Sequence, residues 1–328
     1  MTHHNNQTSD GTPAFPPTDD PADDRPCLVV IVGPTAVGKT AAAVALAKRF
    51  DGEVINADSR YLYQGLDIGV AKPSIVERGG IPHHLIDMIP PDADMSLATY
   101  QTAAMDAIQT TIARGRLPLL VGGTPLYVNA VVEGWRIPRV PPNPTLRARL
   151  AAEIAELGLP AVAERLATVD PVAGARSGAN PRRVIRALEI FETTGTPMSS
   201  LEGKGPPPFR TLELGLTMPR DQLYRIIDAR VDDQIASGLV DEVRRLLEGG
   251  LSPTALSMTS IGYRQLVPYL QGEATLDDAV QRIKLDSHRY VRHQQTWFRR
   301  NPCIVPIDVT RPDWLNGVAS MIEQFRQA

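Results

Sequence analysis

The sequence predicts an α/β fold in which a parallel sheet flanked by helices carries a helical insertion. Three observations predict it. Leu28-Val29-Val30-Ile31-Val32 is a continuous, β-branched apolar run that stops at a glycine, the pattern of a strand buried on both faces. A second such run, residues 117–121, also stops at a glycine, Gly122. Segments of helical composition separate the strand candidates, and that alternation builds parallel sheets through right-handed crossovers.

Each element follows in order. Residues 41–50 have helical composition, and residues 53–57 form the second strand candidate, ending at Asp58. Ser96 is an N-cap for a helix whose Leu97, Tyr100, Ala104, Ile108 and Ile112 share one face, and Gly115 closes it. Thr124 caps a short helix that has Pro125 at its first position and ends at Gly134. The composition then changes. A Pro-rich hinge, 137–144, leads into Ala/Glu/Arg/Leu-rich helices up to about Glu192, and a Gly/Pro stretch, 195–208, follows. Later strands are expected at 211–217 and 303–307, with mostly helical chain over 219–300. The expected organisation is a disordered tail over 1–26, a core made of 27–136 and 209–328, and a helical insertion over 137–208.

Composition narrows the function classes. The chain has 328 residues, 43% apolar and 22% charged, enough for one large or two modest domains and unlike a disordered chain. No stretch reaches the ~18–20 apolar residues of a membrane span, and the polar, Asp- and Pro-rich first 26 residues lack the apolar centre of a signal peptide. Cys27 and Cys303 are the two cysteines, which excludes a disulfide framework and a cysteine-based zinc module; a cytoplasmic protein is expected. No cysteine lies near His83-His84 or the His288/His293 pair, and the i, i+5 spacing of the latter is poor for one helical face, so no histidine metal site is expected. The net charge of −3 gives no global case for nucleic-acid binding, so such a site must come from local clustering.

Two clusters qualify. Arg182, Arg183 and Arg186 occupy neighbouring faces of a predicted helix. Residues 281–300 carry Arg282, Lys284, Arg289, Arg292, Arg299 and Arg300 against Asp286. Tyr290, His293 and Trp297 recur there at helical spacing, suited either to core packing or to stacking on unpaired bases.

The strongest motif is Gly33-Pro34-Thr35-Ala36-Val37-Gly38-Lys39-Thr40, which fits G-x-x-x-x-G-K-[ST] between a predicted strand and a predicted helix. In such a phosphate loop the backbone N–H groups and the helix dipole face an anion. Lys39 supplies charge to the phosphates and Thr40 a hydroxyl for Mg²⁺. The core is therefore expected to be P-loop NTPase-like. A loop of this kind ordinarily holds ATP or GTP, with a later strand ending in an acid that helps bind Mg²⁺. Here the 117–121 strand ends in Gly122-Gly123-Thr124, and the acid stands after the second strand as Asp58. At that end of a parallel sheet it either serves the reaction as orienter or base, or is the N-cap of the next helix.

The ordered set of short motifs is more specific than any one of them. The phosphate loop is followed by Asp58-Ser59-Arg60, Gly65-Leu66-Asp67-Ile68-Gly69, Ala71-Lys72-Pro73, His83-His84-Leu85-Ile86-Asp87 and Leu119-Leu120-Val121-Gly122-Gly123-Thr124. Arg186-Ala187-Leu188-Glu189, Ile261-Gly262-Tyr263-Arg264-Gln265 and Gln294-Gln295-Thr296-Trp297-Phe298-Arg299 come later. Over residues 28–300 the chain resembles the tRNA dimethylallyltransferases, also called tRNA isopentenyltransferases.

The resemblance implies transfer of a dimethylallyl group from dimethylallyl diphosphate to N6 of the adenosine 3′ of the anticodon in certain tRNAs. It implies a phosphate loop, Gly33 to Thr40, that grips the donor diphosphate with Mg²⁺ at Thr40. Catalysis would rest on Asp58 as general base with Lys39 and Thr124. Asp58, Ser59, Arg60, Tyr61 and Thr124 would meet the target adenosine. Arg147, Pro181, Arg182, Arg183, Val184 and Ile185 of the insertion would clamp the anticodon stem-loop, joined by Ile261, Gly262, Tyr263, Arg292, Gln294, Trp297 and Arg299. Ile226 stands where the family pattern has an arginine near the donor, so Arg225 or Arg230 is expected to replace it. A monomer without membrane attachment is expected. The alternatives are a P-loop nucleoside or nucleotide kinase with the insertion as its lid, a prenyltransferase acting on free AMP, and a non-catalytic RNA-binding factor.

Overall fold

The computed structural model describes residues 23–328, so most of the tail expected over 1–26 lies outside the described residues. The chain opens with β1 (Cys27–Val32), α1 (Lys39–Phe50), β2 (Gly52–Asn56), the one-turn α2 (Ile75–Arg78) and the two-residue β3 (His83–His84). There follow α3 (Leu97–Ala113), β4 (Leu117–Gly122), α4 (Pro125–Val132) and β5 (Trp135–Arg136). Next come α5 (Pro144–Leu157), α6 (Leu159–Val169), α7 (Pro171–Ser177), α8 (Pro181–Thr194), α9 (Met198–Leu201) and β6 (Gly203–Lys204). The chain continues through β7 (Arg210–Thr217), α10 (Arg220–Ala236), α11 (Leu239–Glu248), α12 (Tyr263–Leu270), α13 (Leu276–Phe298), β8 (Ile304–Asp308) and α14 (Trp314–Gln327).

Six strands form one sheet in the order β3-β2-β4-β1-β7-β8, all pairs parallel. The apolar run at the start of the chain is its central strand: Val30 pairs with Leu120 on one side and Glu213 on the other. Leu28 to Val32 are buried, as two covered faces require. Ala43, Leu46 and Ala47 of α1, Leu223 and Ile227 of α10, Val291 of α13 and Ile322 of α14 pack in one cluster with sheet residues Val29, Ile31, Leu119 and Leu214. A second cluster joins Leu66, Val231, Leu239, Val243, Tyr263, Leu266 and Ile283. All parallel strands end on the same edge, so the loops after β1, β2 and β4 gather there.

Two compact units are present. Among the described residues the first comprises 23–95, 103–128 and 208–328; the second comprises 96–102 and 129–207. The second unit thus begins earlier than the 137–208 insertion expected from composition. The Gly/Pro stretch 195–208 read as a joint carries ordered pairing: its β6 forms an antiparallel ribbon with β5, which ends just before the Pro-rich 137–144, with Trp135 opposite Lys204.

The second unit packs Leu150, Val162, Leu166, Val184 and Leu188 around one core. Beside it the fully buried Glu189 accepts from Arg147 Nε at 2.8 Å, Arg186 Nη1 at 2.6 Å and the Asn143 N–H at 2.7 Å. Burial alone would raise this carboxyl, but those donors outweigh it and hold it below the usual range. Its stabilisation is therefore present above the ordinary glutamate range and lost as pH falls through the lowered value. Glu189→Ala is expected to destabilise this unit by about 2–3 kcal/mol, a discount on a fully buried pair because both arginines reach solvent. Native-state hydrogen exchange of α5 and α8 would show it, and unchanged protection there would refute it.

Candidate active site

Three segments meet at the carboxyl edge of the sheet, and close backbone approach brings them together. A side chain at Gly122 would place its Cβ 2.1 Å from the Ala57 carbonyl carbon, so only glycine lets the end of β4 lie against the end of β2. The Ala57 N–H donates to Val121 O, and the Thr124 N–H donates back to Ala57 O at 3.2 Å. Thr124 Oγ1 then accepts from the Ser59 N–H at 3.0 Å and donates to Ser59 Oγ at 3.3 Å. This threonine therefore precedes Pro125 at the start of α4, as expected, and also fixes the segment that follows β2.

Asp58 is oriented from below. Buried Asn56 accepts the Asp58 N–H at 2.8 Å and donates to the Asp58 and Leu85 carbonyls, both at 2.9 Å. No helix begins directly after Asp58, so it is not the helix N-cap the sequence allowed; residues 59–62 form a turn, whose Arg60 N–H donates to Asp58 Oδ1 at 3.0 Å and leaves Oδ2 to serve another partner. Arg60 reaches Leu256 O at 2.9 Å and Thr259 Oγ1 at 3.2 Å. Sequence reasoning missed Asn56; a polar residue directly after Val54-Ile55 at the strand's carboxyl end was the available signal.

The phosphate loop lies between β1 and α1. Lys39 Nζ donates to Gly33 O at 3.0 Å and Pro34 O at 2.8 Å, so the ammonium sits inside the loop. Burial draws it down to about 8, Asp58 opposes that shift and Arg230 adds to it. The Thr35 N–H is taken by Gln294 Oε1 at 3.0 Å, while Gln294 Nε2 donates to Gly123 O at 2.8 Å. Gln294 is thus a buried brace between the loop and the end of β4, not the surface contact expected of it.

A cavity of about 410 Å³ opens against these elements. Thr35, Ala36, Asp58, Ser59, Arg60 and Thr124 line it, as do Arg230 of α10, Ile261, and Tyr290 and His293 of α13. Ile227, Val231 and Ile283 give it an apolar wall. Helix geometry separates Arg225 from Arg230. Five residues apart, the two lie on different faces; Arg230 lines the cavity, whereas exposed Arg225 pairs with Asp221 at 3.4 Å.

Other expected site residues fall elsewhere. Tyr263 is fully buried beneath the 67–71 turn and cannot present itself to a macromolecule; the helical periodicity of α12 puts it on the core side. Gly262 adjoins it, its N–H donating to Gln265. Arg292 is exposed and donates to the Tyr224 hydroxyl at 3.1 Å, Trp297 is half-buried edge-on to Phe298, and Arg299 is exposed. In the second unit Arg147 is committed to Glu189, Val184 is buried in the core, and Pro181 with Ile185 begins α8. Arg182 and Arg183 are exposed in the first turn of that helix and, among the described residues, enter no ion pair.

Among the described residues no group of three or more His, Cys, Asp or Glu could hold a metal ion, and no helix is long and apolar enough to cross a membrane. Mg²⁺ keeps several waters and commonly takes one or two protein oxygens plus substrate phosphates, so a lone Thr40 hydroxyl beside a phosphate loop fits it better than it fits a caged metal.

Residues 61–301 match the IPP transferase family, and residues 26–82 match the isopentenyl transferase family. A tRNA dimethylallyltransferase of Thermomicrobium roseum is 57% identical over 301 residues, 92% of each chain. One from a Roseiflexus species is 49% identical over 302 residues, covering 92% of this chain and 99% of that one. Among solved structures, a tRNA isopentenylpyrophosphate transferase of Bacillus halodurans superposes with a TM-score of 0.69 at 40% identity, over 92% of this chain and 96% of that one. A eukaryotic dimethylallyltransferase acting on tRNA superposes with a TM-score of 0.77 at 26% identity, over 92% of this chain and 80% of that one. On this sequence match and this sheet the chain belongs to the IPP transferase family.

Proposed function

We propose that the protein is a cytoplasmic tRNA dimethylallyltransferase that prenylates N6 of the adenosine 3′ of the anticodon. One observation carries the reading: the phosphate loop, through Thr35 and Ala36, and a carboxylate, Asp58, line the same apolar-walled cavity, with Lys39 held inside that loop. An allylic diphosphate needs both an anion site and an apolar wall. The adenine amine is a weak nucleophile, because its lone pair is delocalised into the ring.

In the proposed reaction the donor diphosphate lies against the phosphate loop, with Arg230 beside it. The free loop N–H groups, Lys39 and Arg230 neutralise the charge that grows on the departing pyrophosphate. Mg²⁺ bound through Thr40 and the diphosphate would supply further charge neutralisation. The bond between the allylic carbon and the bridging oxygen breaks, the N6–carbon bond forms, and the N6 proton passes to Asp58 Oδ2. Arg60 and Thr124 hold the segment that bears Asp58. The adenine must leave its stack to arrive there, and Tyr290 and His293 at the cavity wall offer it aromatic faces.

Arg182 and Arg183 suit a phosphate contact. Cations in the first turn of a helix are disfavoured by its dipole, and a backbone phosphate at that N-terminus relieves the conflict. The family resemblance adds the anticodon stem-loop as its source.

The test is incubation with radiolabelled dimethylallyl diphosphate, Mg²⁺ and unmodified tRNA, with AMP alone in parallel. Label at the adenosine following the anticodon supports the reading. Label only in AMP, or consumption of ATP with no label anywhere, overturns it. In the same assay Arg230→Ala is expected to lower kcat/KM for the donor by about 10- to 100-fold, the worth of a charged hydrogen bond, while Arg225→Ala changes it little. Equal losses from both would refute the assignment of Arg230.

A further inference from the structure

We propose that Glu242, which lies outside the cavity, is a positioning residue for the transfer step: through the 67–71 turn it sets the Ala71 carbonyl that orients Arg230. The inference rests on the donor site described above.

Glu242 projects from α11 and is 3% exposed. Its carboxylate accepts three consecutive backbone N–H groups, Asp67 at 3.1 Å, Ile68 at 2.9 Å and Gly69 at 3.2 Å, and the Tyr263 hydroxyl donates to it as well. Successive amides converging on one anion form a nest, which fixes the backbone that supplies them. Gln234 holds the same turn from α10, its Nε2 donating to Ile68 O at 2.6 Å and Gly69 O at 3.0 Å. The Tyr263 ring lies so close beneath Gly69 that a Cβ there would sit 2.4 Å from it. The turn then closes on itself, with the Ala71 N–H donating to Ile68 O and the Lys72 N–H to Asp67 O, both at 3.0 Å.

The consequence falls on Ala71. Its φ of +55° is a left-handed conformation that alanine adopts only where its surroundings over-determine it. This conformation aims its carbonyl at two donors, Tyr61 Oη at 2.9 Å and Arg230 Nη2 at 3.5 Å. Gly69, Val70 and Ala71 line the cavity, while Glu242 and Tyr263 do not. The turn is thus sandwiched: a buried anion grips one side, and the other carries the acceptor that holds the cavity's arginine. A fold could pack this region with apolar residues. A carboxylate spent on four donors instead sets the turn to a single conformation.

The experiment is a double-mutant cycle on single-turnover dimethylallyl transfer, using the full chain, saturating donor and tRNA. Glu242→Gln keeps the shape but points an amide N–H₂ at backbone donors. Its transfer rate is expected to fall about tenfold with tRNA affinity unchanged, and that fall is expected to vanish in the Arg230→Ala background. Tyr263→Phe removes one donor only and is expected to give a smaller loss with the same dependence on Arg230, so it serves if Glu242→Gln does not fold. A wild-type rate in the folded variant, or an equal fall in both backgrounds, would overturn the proposal. If the wild-type enzyme itself fails to label tRNA, the functional reading falls first, which is a separate outcome.

Discussion

Asp58→Ala is expected to lower the single-turnover rate of dimethylallyl transfer by about 100- to 10,000-fold, the range for loss of a positioned general base. Binding of tRNA should change little, because affinity for RNA is spread over many phosphate contacts. The expectation follows from how the carboxylate is held. Asn56 fixes its backbone from inside the strand, the Arg60 N–H takes Oδ1, and Oδ2 is left for a substrate proton. Asp58→Asn is the sharper variant: an asparagine can keep the Oδ1 contact and the shape but cannot accept a proton. Near-wild-type transfer by either variant would remove Asp58 from the chemistry and leave it as a turn cap. Retention of the Arg60 contact with loss of transfer would separate its two roles.

Lys39→Ala should cost about 100- to 1,000-fold in the same step, the usual loss when one preorganised stabiliser of a developing anion is removed. Lys39 is held inside the loop by the Gly33 and Pro34 carbonyls before any donor arrives, so little reorganisation precedes its use. A diphosphate brings several negative charges and would displace those neutral acceptors. The measurement is the rate of pyrophosphate release in a single turnover, alongside donor affinity. A variant that loses affinity but releases pyrophosphate at the wild-type rate would show that Lys39 binds the ground state only.

Much of this site was legible before any coordinates, and the reason is locality. The phosphate loop, the Asp58 turn and the Thr124 cap are each contained in a few consecutive residues, and their strands are long apolar runs. Long-range partnerships were not legible. Gln294 reads as one more polar residue on a basic helix until its amide is found 259 residues away from its partner Thr35. Tyr263 and Arg147 look like surface contacts until buried carboxylates, Glu242 and Glu189, claim them. The two-residue strands β3 and β5 are too short for any periodicity, and the Gly/Pro stretch 195–208 concealed one strand of an ordered ribbon. Arg225 and Arg230 differ only in helical phase, which decides which of them reaches the cavity.

The strand order also governs how the protein matures during synthesis. β1 is complete early, yet its neighbour β7 is made only after the whole second unit has emerged. Until then the central strand of the sheet presents an open edge of unpaired backbone, the kind of surface that invites association with other chains. The second unit, by contrast, is built mainly from neighbouring helices with short connections and is free to fold first, as local contacts form fastest. Closure of the sheet by β7 and β8 is therefore the late step. Truncated chains that end before Arg210 should depend on chaperones more than the full-length protein does.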